Sequence, residues 1–172
     1  MKQSKTPSNN QRIMQAMVVR QIDTPLGPMI AEASKLGLTK LHWSNEVITS
    51  SKTRSDHLDC AERWVSAYFS GENAPEPILD FTGLTDFRQH ISLTLQKNVR
   101  FGQMTTYGDL AKSARKSGAS RAVGSTMAKN PWTLLVPCHR VVKSDGGLGN
   151  YSAADGIKTK AWLLNHEKRL MK

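Results

Sequence analysis

Cys138 and His139 stand side by side at the end of an apolar run, NPWTLLVPCHRVV, residues 130–142. Pro137 restricts the backbone just before the pair and presents it at the rim of a core. A thiol attacks carbon only as thiolate, which needs a nearby proton acceptor or a positive charge. His139 is the acceptor type and Arg140 the charge. Consecutive residues need not touch through their side chains, so a bridging water is the expected proton route. A third group must then orient the imidazole. The C-terminal stretch WLLNHEKR offers Glu167 and His166 for that task. Cys60, the other cysteine, has no such company and is expected to be a buried, inert thiol. No second cysteine lies near Cys138 and no paired-ligand spacing occurs, so no metal is expected.

The chain around this centre has 172 residues, 38% hydrophobic and 22% charged, enough for a core without disulfides or metal. Its two cysteines point to a reducing compartment. No apolar stretch nears the roughly 18 residues of a membrane-spanning helix, and the polar start has no secretory apolar core. Residues 1–16 read as a disordered tail; their basic, acid-free composition also allows a transit peptide, the less favoured reading. Charge is split sharply. Residues 1–85 carry nine basic and nine acidic side chains, whereas residues 86–172 carry fifteen basic and five acidic, the whole excess of +10. Such a half is suited to a polyanion, above all nucleic acid. An anionic membrane is disfavoured because the basic residues are not gathered on one amphipathic helix.

The elements that must position the cysteine follow from local pattern. Val18, Val19 and Ile22 precede a turn at Thr24-Pro25-Leu26-Gly27-Pro28, and Met29-Ile30 resumes, which predicts a hairpin. Leu36, Leu38, Thr39, Leu41 and Trp43 predict a third strand. Leu58, Ala61, Trp64, Val65 and Tyr68 share one face of a helix over 56–70, stopped by Gly71. The fold class expected is α+β: an N-terminal sheet with a covering helix over 17–73, then a Pro-containing linker over 74–84. A helical domain, helix-turn-helix and winged-helix-like, follows over 85–172. Thr85 or Asp86, with Gln89, caps its first helix, which carries Phe87, Ile91, Leu93 and Leu95. Two short helices follow, one from Tyr107 and one capped by Ser120, around a Gly-containing turn. The second has a small surface (Ala122, Gly124, Ser125, Ala128) where a major-groove reader would carry Gln, Asn or Arg. Small residues serve close helix packing equally well; the alternative is a helix trimmed for the minor groove, led by Arg121.

Taken together, PCHRVV, the preceding Asn130-Pro131 and SRAVGSTM, and the following GNYS and KTKAWLLNHE resemble the O6-alkylguanine-DNA alkyltransferases, the methylated-DNA–protein-cysteine methyltransferases. IDTPLGPMIAEA resembles the family's N-terminal hairpin, so the resemblance spans about residues 18–168. It implies repair of DNA by direct damage reversal, in a single turnover without cofactor. Cys138 would accept the alkyl group from O6-alkylguanine, and, as a wider substrate, O4-alkylthymine. His139 would take the thiol proton through water, and Glu167 would hold His139. Asn130 would brace the turn between helix and cysteine. Arg121 would fill the space left by the flipped base, and Tyr107 would push the phosphate. Main-chain groups of Cys138, Val141 and the neighbourhood of Ser152 would grip the guanine. Ala122, Gly124 and Ser125 would face the minor groove of duplex DNA, the protein acting as a monomer. It would be nuclear in a eukaryote or cytoplasmic in a bacterium, and not secreted.

Two departures from the family pattern stand out. The stretch Ser152-Ala153-Ala154-Asp155-Gly156 is about two residues longer than usual, so Asp155 is expected to narrow the guanine pocket or charge it. Trp132-Thr133 replaces smaller residues. Competing readings are a DNA-binding alkylation or redox sensor, a cysteine hydrolase on Cys138, His139 and Glu167, and a lesion binder without transfer. The last is ranked low because Cys138 is present.

Overall fold

The structure, a computed structural model, describes residues 17–171; the disordered tail expected over 1–16 lies outside the described residues. The first half is an antiparallel sheet in the order β1 (Val18–Ile22), β2 (Met29–Ala33), β3 (Leu38–Trp43). Pro25 and Gly27 shape the first hairpin, where Gly27 N–H donates to Thr24 O at 3.1 Å and the register runs Ile22 to Met29. β3 starts two residues later than the pattern suggested, because Leu36 sits 53% exposed in the preceding turn.

Helix α1 (Asp56–Ser70) covers the sheet. Ser55 caps it by accepting from Leu58 N–H, and Gly71 ends it in the left-handed conformation. Leu58, Ala61, Val65 and Tyr68 bury the face read from the sequence, with Trp64 half-buried beside them. Cys60, expected in the core, is half-buried instead, its Sγ 3.5 Å from Pro75 O. It lies one position before the buried stripe turns inward at Ala61.

The second half holds α2 (Asp86–Asn98), β4 (Thr105–Thr106), α3 (Tyr107–Ser113), α4 (Ser120–Ala128), a 3-10 turn (Cys138–Arg140), β5 (Val141–Val142) and α5 (Ile157–Leu170). The whole is therefore α+β, a small sheet with helices. Three local expectations are corrected. Thr85 alone caps α2, accepting from Arg88 N–H, and the Asp86–Gln89 box does not form. Ala119 occupies the α4 cap position, which places Ser120 inside the helix without a capping bond. Leu93 faces outward, 43% exposed, while Ile91 and Leu95 fill the core. The parallel β4–β5 pair, Thr105 to Val141, was not legible as strands because each is two residues long.

The two halves are stitched together along β3. Residues 78–80 run beside it, with Leu38 N–H donating to Ile78 O at 2.7 Å and Asp80 N–H donating to Leu38 O at 2.9 Å. The approach is so close that a Cβ on Gly37 would stand 2.6 Å from Ile78 O. Further along, Leu41 N–H donates to Pro131 O and Thr133 N–H donates to Leu41 O, both at 2.8 Å. Trp132 is wholly buried at this seam, its indole N–H donating to Leu38 O at 2.7 Å and its ring edge-on to Phe81. The cysteine segment is thus held by the N-terminal sheet as well as by its own helices.

Candidate active site and DNA interface

After Trp132 the chain makes a sequence of tight turns. Leu134 is buried at φ 74°, an uncommon conformation for a bulky side chain, and Val136 N–H closes back on Trp132 O. Pro137 sits at φ −78°, ψ 65° with Cys138 N–H donating to Val136 O at 2.7 Å, an inverse γ-turn. The 3-10 turn follows, with Arg140 N–H donating to Pro137 O at 2.9 Å. Asn130 ties these turns to the end of α4. Its Oδ1 accepts from Trp132 N–H, and its Nδ2 donates to Val136 O at 2.7 Å and to Cys138 Sγ at 3.2 Å.

Cys138 lies 8% exposed in the wall of a cavity of about 940 Å³. Burial pushes its thiol up from the ordinary value, while the Asn130 amide and the Lys160 ammonium act in the opposite sense. Arg140, expected to supply the positive charge, is committed elsewhere. Its guanidinium donates to both oxygens of Glu167 (3.0–3.2 Å) and to Val99 O at 2.8 Å. The cation facing Cys138 is Lys160, fully buried on α5, its Nζ donating to Val141 O at 2.6 Å. Sequence reading passed over Lys160 because a lysine in a basic helix start carries no sign that it turns inward.

His139 is completely buried, and its Nε2 is 2.7 Å from Glu167 Oε1. Its Nδ1 is buried with no hydrogen-bond partner among the described residues, and no hydrogen bond joins the ring to Cys138 Sγ. Burial holds His139 below its usual pKa against the pull of Glu167, so at neutral pH the ring is a neutral base. Glu167 is fully buried too. Burial raises its pKa, but hydrogen bonds from His139 and Arg140, with their charge, bring it to about 2. With His139 neutral, Arg140 is the lasting counter-charge. Of the two candidate orienting groups the structure pairs Glu167 with His139, whereas His166 stacks on Trp162 at 4.7 Å. Tyr68 and the Gly102 N–H also donate to the Glu167 carboxylate, at 2.7 and 2.9 Å, contacts that no sequence spacing announces.

The cavity wall also includes Tyr107, Arg121, Gly124, Tyr151 and Ser152. Tyr107 begins α3 below Thr106, which caps that helix, and its hydroxyl is kept protonated by burial and by the neighbouring Cys138. Gly149 passes so close that a Cβ there would stand 3.1 Å from the Tyr107 oxygen. Arg121 is exposed on the first turn of α4 at the cavity rim. Ala122, Ser125 and Ala128 are exposed, while Val123, Thr126 and Met127 make the buried face. Close helix packing therefore does not account for the small outer face. Gly124 is the exception, lying against the Tyr107 ring. Val141 is buried on β5, outside the cavity wall. Asp155 is exposed and also outside it, its N–H held by Thr159 Oγ1, so the longer loop does not bring its charge into the cavity.

A buried thiol with a charge-neutral base behind it, opening beside a basic helix pair, defines a cysteine acceptor domain built to meet nucleic acid. Residues 86–169 match the DNA-binding domain of 6-O-methylguanine DNA methyltransferase. The chain is 34% identical over 167 residues to the rat methylated-DNA–protein-cysteine methyltransferase, covering 85% of this chain and 79% of the rat protein. It is 34% identical over 154 residues to the Mycobacterium bovis protein of the same name, covering 87% and 91%. The fold is similar to the crystal structure of Mycobacterium tuberculosis O6-methylguanine methyltransferase, with TM-score 0.75, 33% identity and coverage of 90% and 94%. The M. tuberculosis OGT in complex with DNA gives TM-score 0.74 at 33% identity, covering 88% and 93%. The chain belongs to the methylated-DNA–protein-cysteine methyltransferase family.

Proposed function

We propose that this protein repairs DNA by moving an alkyl group from guanine O6 to Cys138, once per molecule. The observation that carries the reading is the placement of Cys138 Sγ in the cavity wall, with the buried His139–Glu167 pair directly behind it. His139 Nδ1, which no group among the described residues engages, takes the thiol proton through one water. Lys160 and the Asn130 amide favour the thiolate so formed. The sulfur attacks the alkyl carbon, the carbon–O6 bond breaks, and its electron pair leaves with guanine. A proton from the Tyr107 hydroxyl to the purine neutralises the leaving group. The product is a thioether with no carbonyl for water to attack, so the acceptor is consumed. Main-chain groups of Cys138 and of the Ser152 neighbourhood, both in the cavity wall, hold the base.

The lesion is buried in a duplex, so the nucleotide must rotate out at a cost of a few kcal/mol, least for a poorly paired base. The exposed small face of α4 (Ala122, Ser125, Ala128) suits a narrow minor groove, with phosphate contacts from the surrounding cations. Arg121 enters the space the base vacates and Tyr107 crowds its phosphate. The compartment is the nucleus or the bacterial cytoplasm, wherever the genome lies.

The test is intact mass after incubation with a methylated-guanine duplex. The expected result is one added methyl per protein, on the peptide containing Cys138; repeated turnover or an unmodified Cys138 overturns the reading. Arg121→Ala should slow transfer from duplex DNA by at least about tenfold while leaving transfer from free O6-methylguanine unchanged, because only the duplex requires flipping. Single-turnover rates on the two substrates check this. Lys112, Arg115, Lys116, Arg121, Lys129 and Lys143 are all exposed on this half. Roughly five phosphate contacts would weaken binding about 10²–10³-fold between 50 and 200 mM salt, and fluorescence anisotropy titrations measure the slope.

A further inference from the structure

Tyr68 belongs to α1, the helix that covers the N-terminal sheet, yet its hydroxyl ends inside the reaction centre of the other half. It is 5% exposed, donates to Glu167 Oε1 at 2.7 Å and stands 3.4 Å from His139 Nε2. The ring is fixed on several sides: Phe69 and Phe101 meet it edge-on, and Trp64 stacks against it. Glu167 Oε1 thus receives Tyr68, His139 and Arg140 together, and Oε2 receives Arg140 and Gly102 N–H.

We propose that Tyr68 is a positioning residue for alkyl transfer: its hydroxyl, supplied by the N-terminal half, fixes the Glu167 carboxylate and limits how strongly that carboxylate draws a proton onto His139. The inference rests on the alkyl-transfer reading above and adds to it a residue that touches neither DNA nor the sulfur. A carboxylate oxygen that accepts several donors has its charge spread among them, so each remaining partner feels less of it. Without the phenol, Glu167 Oε1 leans more fully on His139 and stabilises the imidazolium. An imidazolium cannot accept the thiol proton, so reactivity is lost at the acid end of the pH range. The other ionisable groups around this pair are Arg140 on the 3-10 turn, Lys160 and His166 on α5, Tyr151 in the loop before α5, and Cys138 itself. Removing one phenolic oxygen leaves every one of these groups in place and changes the formal charge of none.

The test is Tyr68→Phe. The ring stays, and Glu167 keeps Arg140, Gly102 and His139 as donors, so no charge is stranded and the fold should survive; thermal denaturation and binding to unmodified duplex check that. Single-turnover transfer from a methylated-guanine duplex is then measured from pH 5 to 9. The expected result is an acid limb displaced upward by about half to one pH unit, with a loss of roughly three- to tenfold below it and little change on the plateau. Alkylation of Cys138 by iodoacetamide, read by peptide mass, should show the same displacement without DNA. An unmoved limb overturns the proposal, whether the rate is unchanged or falls evenly at every pH as a merely structural defect would make it. The wild-type protein is run alongside. If it gains no methyl on Cys138, the alkyl-transfer reading itself fails; if it does and the variant's limb is unmoved, only the role of Tyr68 fails.

Discussion

Cys138→Ala is expected to abolish methyl transfer completely while leaving duplex binding within a few-fold of the wild type. Among the groups of the cavity wall the thiol, once ionised, is the strongest nucleophile towards carbon; Tyr107 and Tyr151 both have their hydroxyl pKa raised by burial. Its removal leaves the basic rim and the α4 surface in place, and these supply the binding. The Asn130 amide loses one weak sulfur acceptor but keeps Val136 O, so stability should change by no more than about 1 kcal/mol. Intact mass and fluorescence anisotropy read the two halves of the prediction. Retained transfer would place the acceptor elsewhere, and Cys60, half-buried on α1 and outside the cavity, is the only other cysteine.

Glu167→Ala should destabilise the fold strongly and should also stop transfer. The substitution strands the Arg140 guanidinium, 9% exposed, with Val99 O alone, and removes the acceptor from Tyr68 and Gly102 N–H. Breaking a buried pair by deleting one partner costs about 3–5 kcal/mol, a large part of the stability of a chain this size. The same carboxylate gives the wild type an acid-sensitive margin. Its folded pKa is about 2, against an ordinary value of 4.5, so its contribution is fully present above about pH 4.5 and is lost as pH falls towards 2. Denaturant titrations at pH 7 and at pH 3 should therefore show the gap between wild type and Glu167→Ala narrowing in acid. A gap that stays constant would mean that the carboxylate is not held as an anion in the fold.

Local chemistry set much of this in advance. The sheet, the capped helix over 56–70 and the pair of short helices are written in short-range pattern: β-branched runs around Pro25 and Gly27, one apolar stripe from Leu58 to Tyr68, and polar residues around Gly118 between α3 and α4. The nucleophile was legible because Pro137, Cys138 and His139 are consecutive and each constrains the next through the backbone. The C-terminal stretch offers both Glu167 and His166 as acceptors, but which of them faces His139 depends on the rotation of α5. The paired two-residue strands escaped notice, since two residues carry no periodicity.

What three dimensions alone decided is the electrostatic environment of the sulfur. Arg140, adjacent to the reactive pair, turns away to neutralise Glu167, while Lys160, twenty positions further on, turns in to lie against Val141 O near Cys138. Tyr68 reaches Glu167 across ninety-nine positions of chain. The reason is physical: charge interactions act through space and depend on burial, and neither distance nor burial is encoded by proximity along the chain. Residue types and spacing determined that a cysteine would react and with what kind of partner. Packing of α1 and α5 against the 3-10 turn determined which charges set its reactivity.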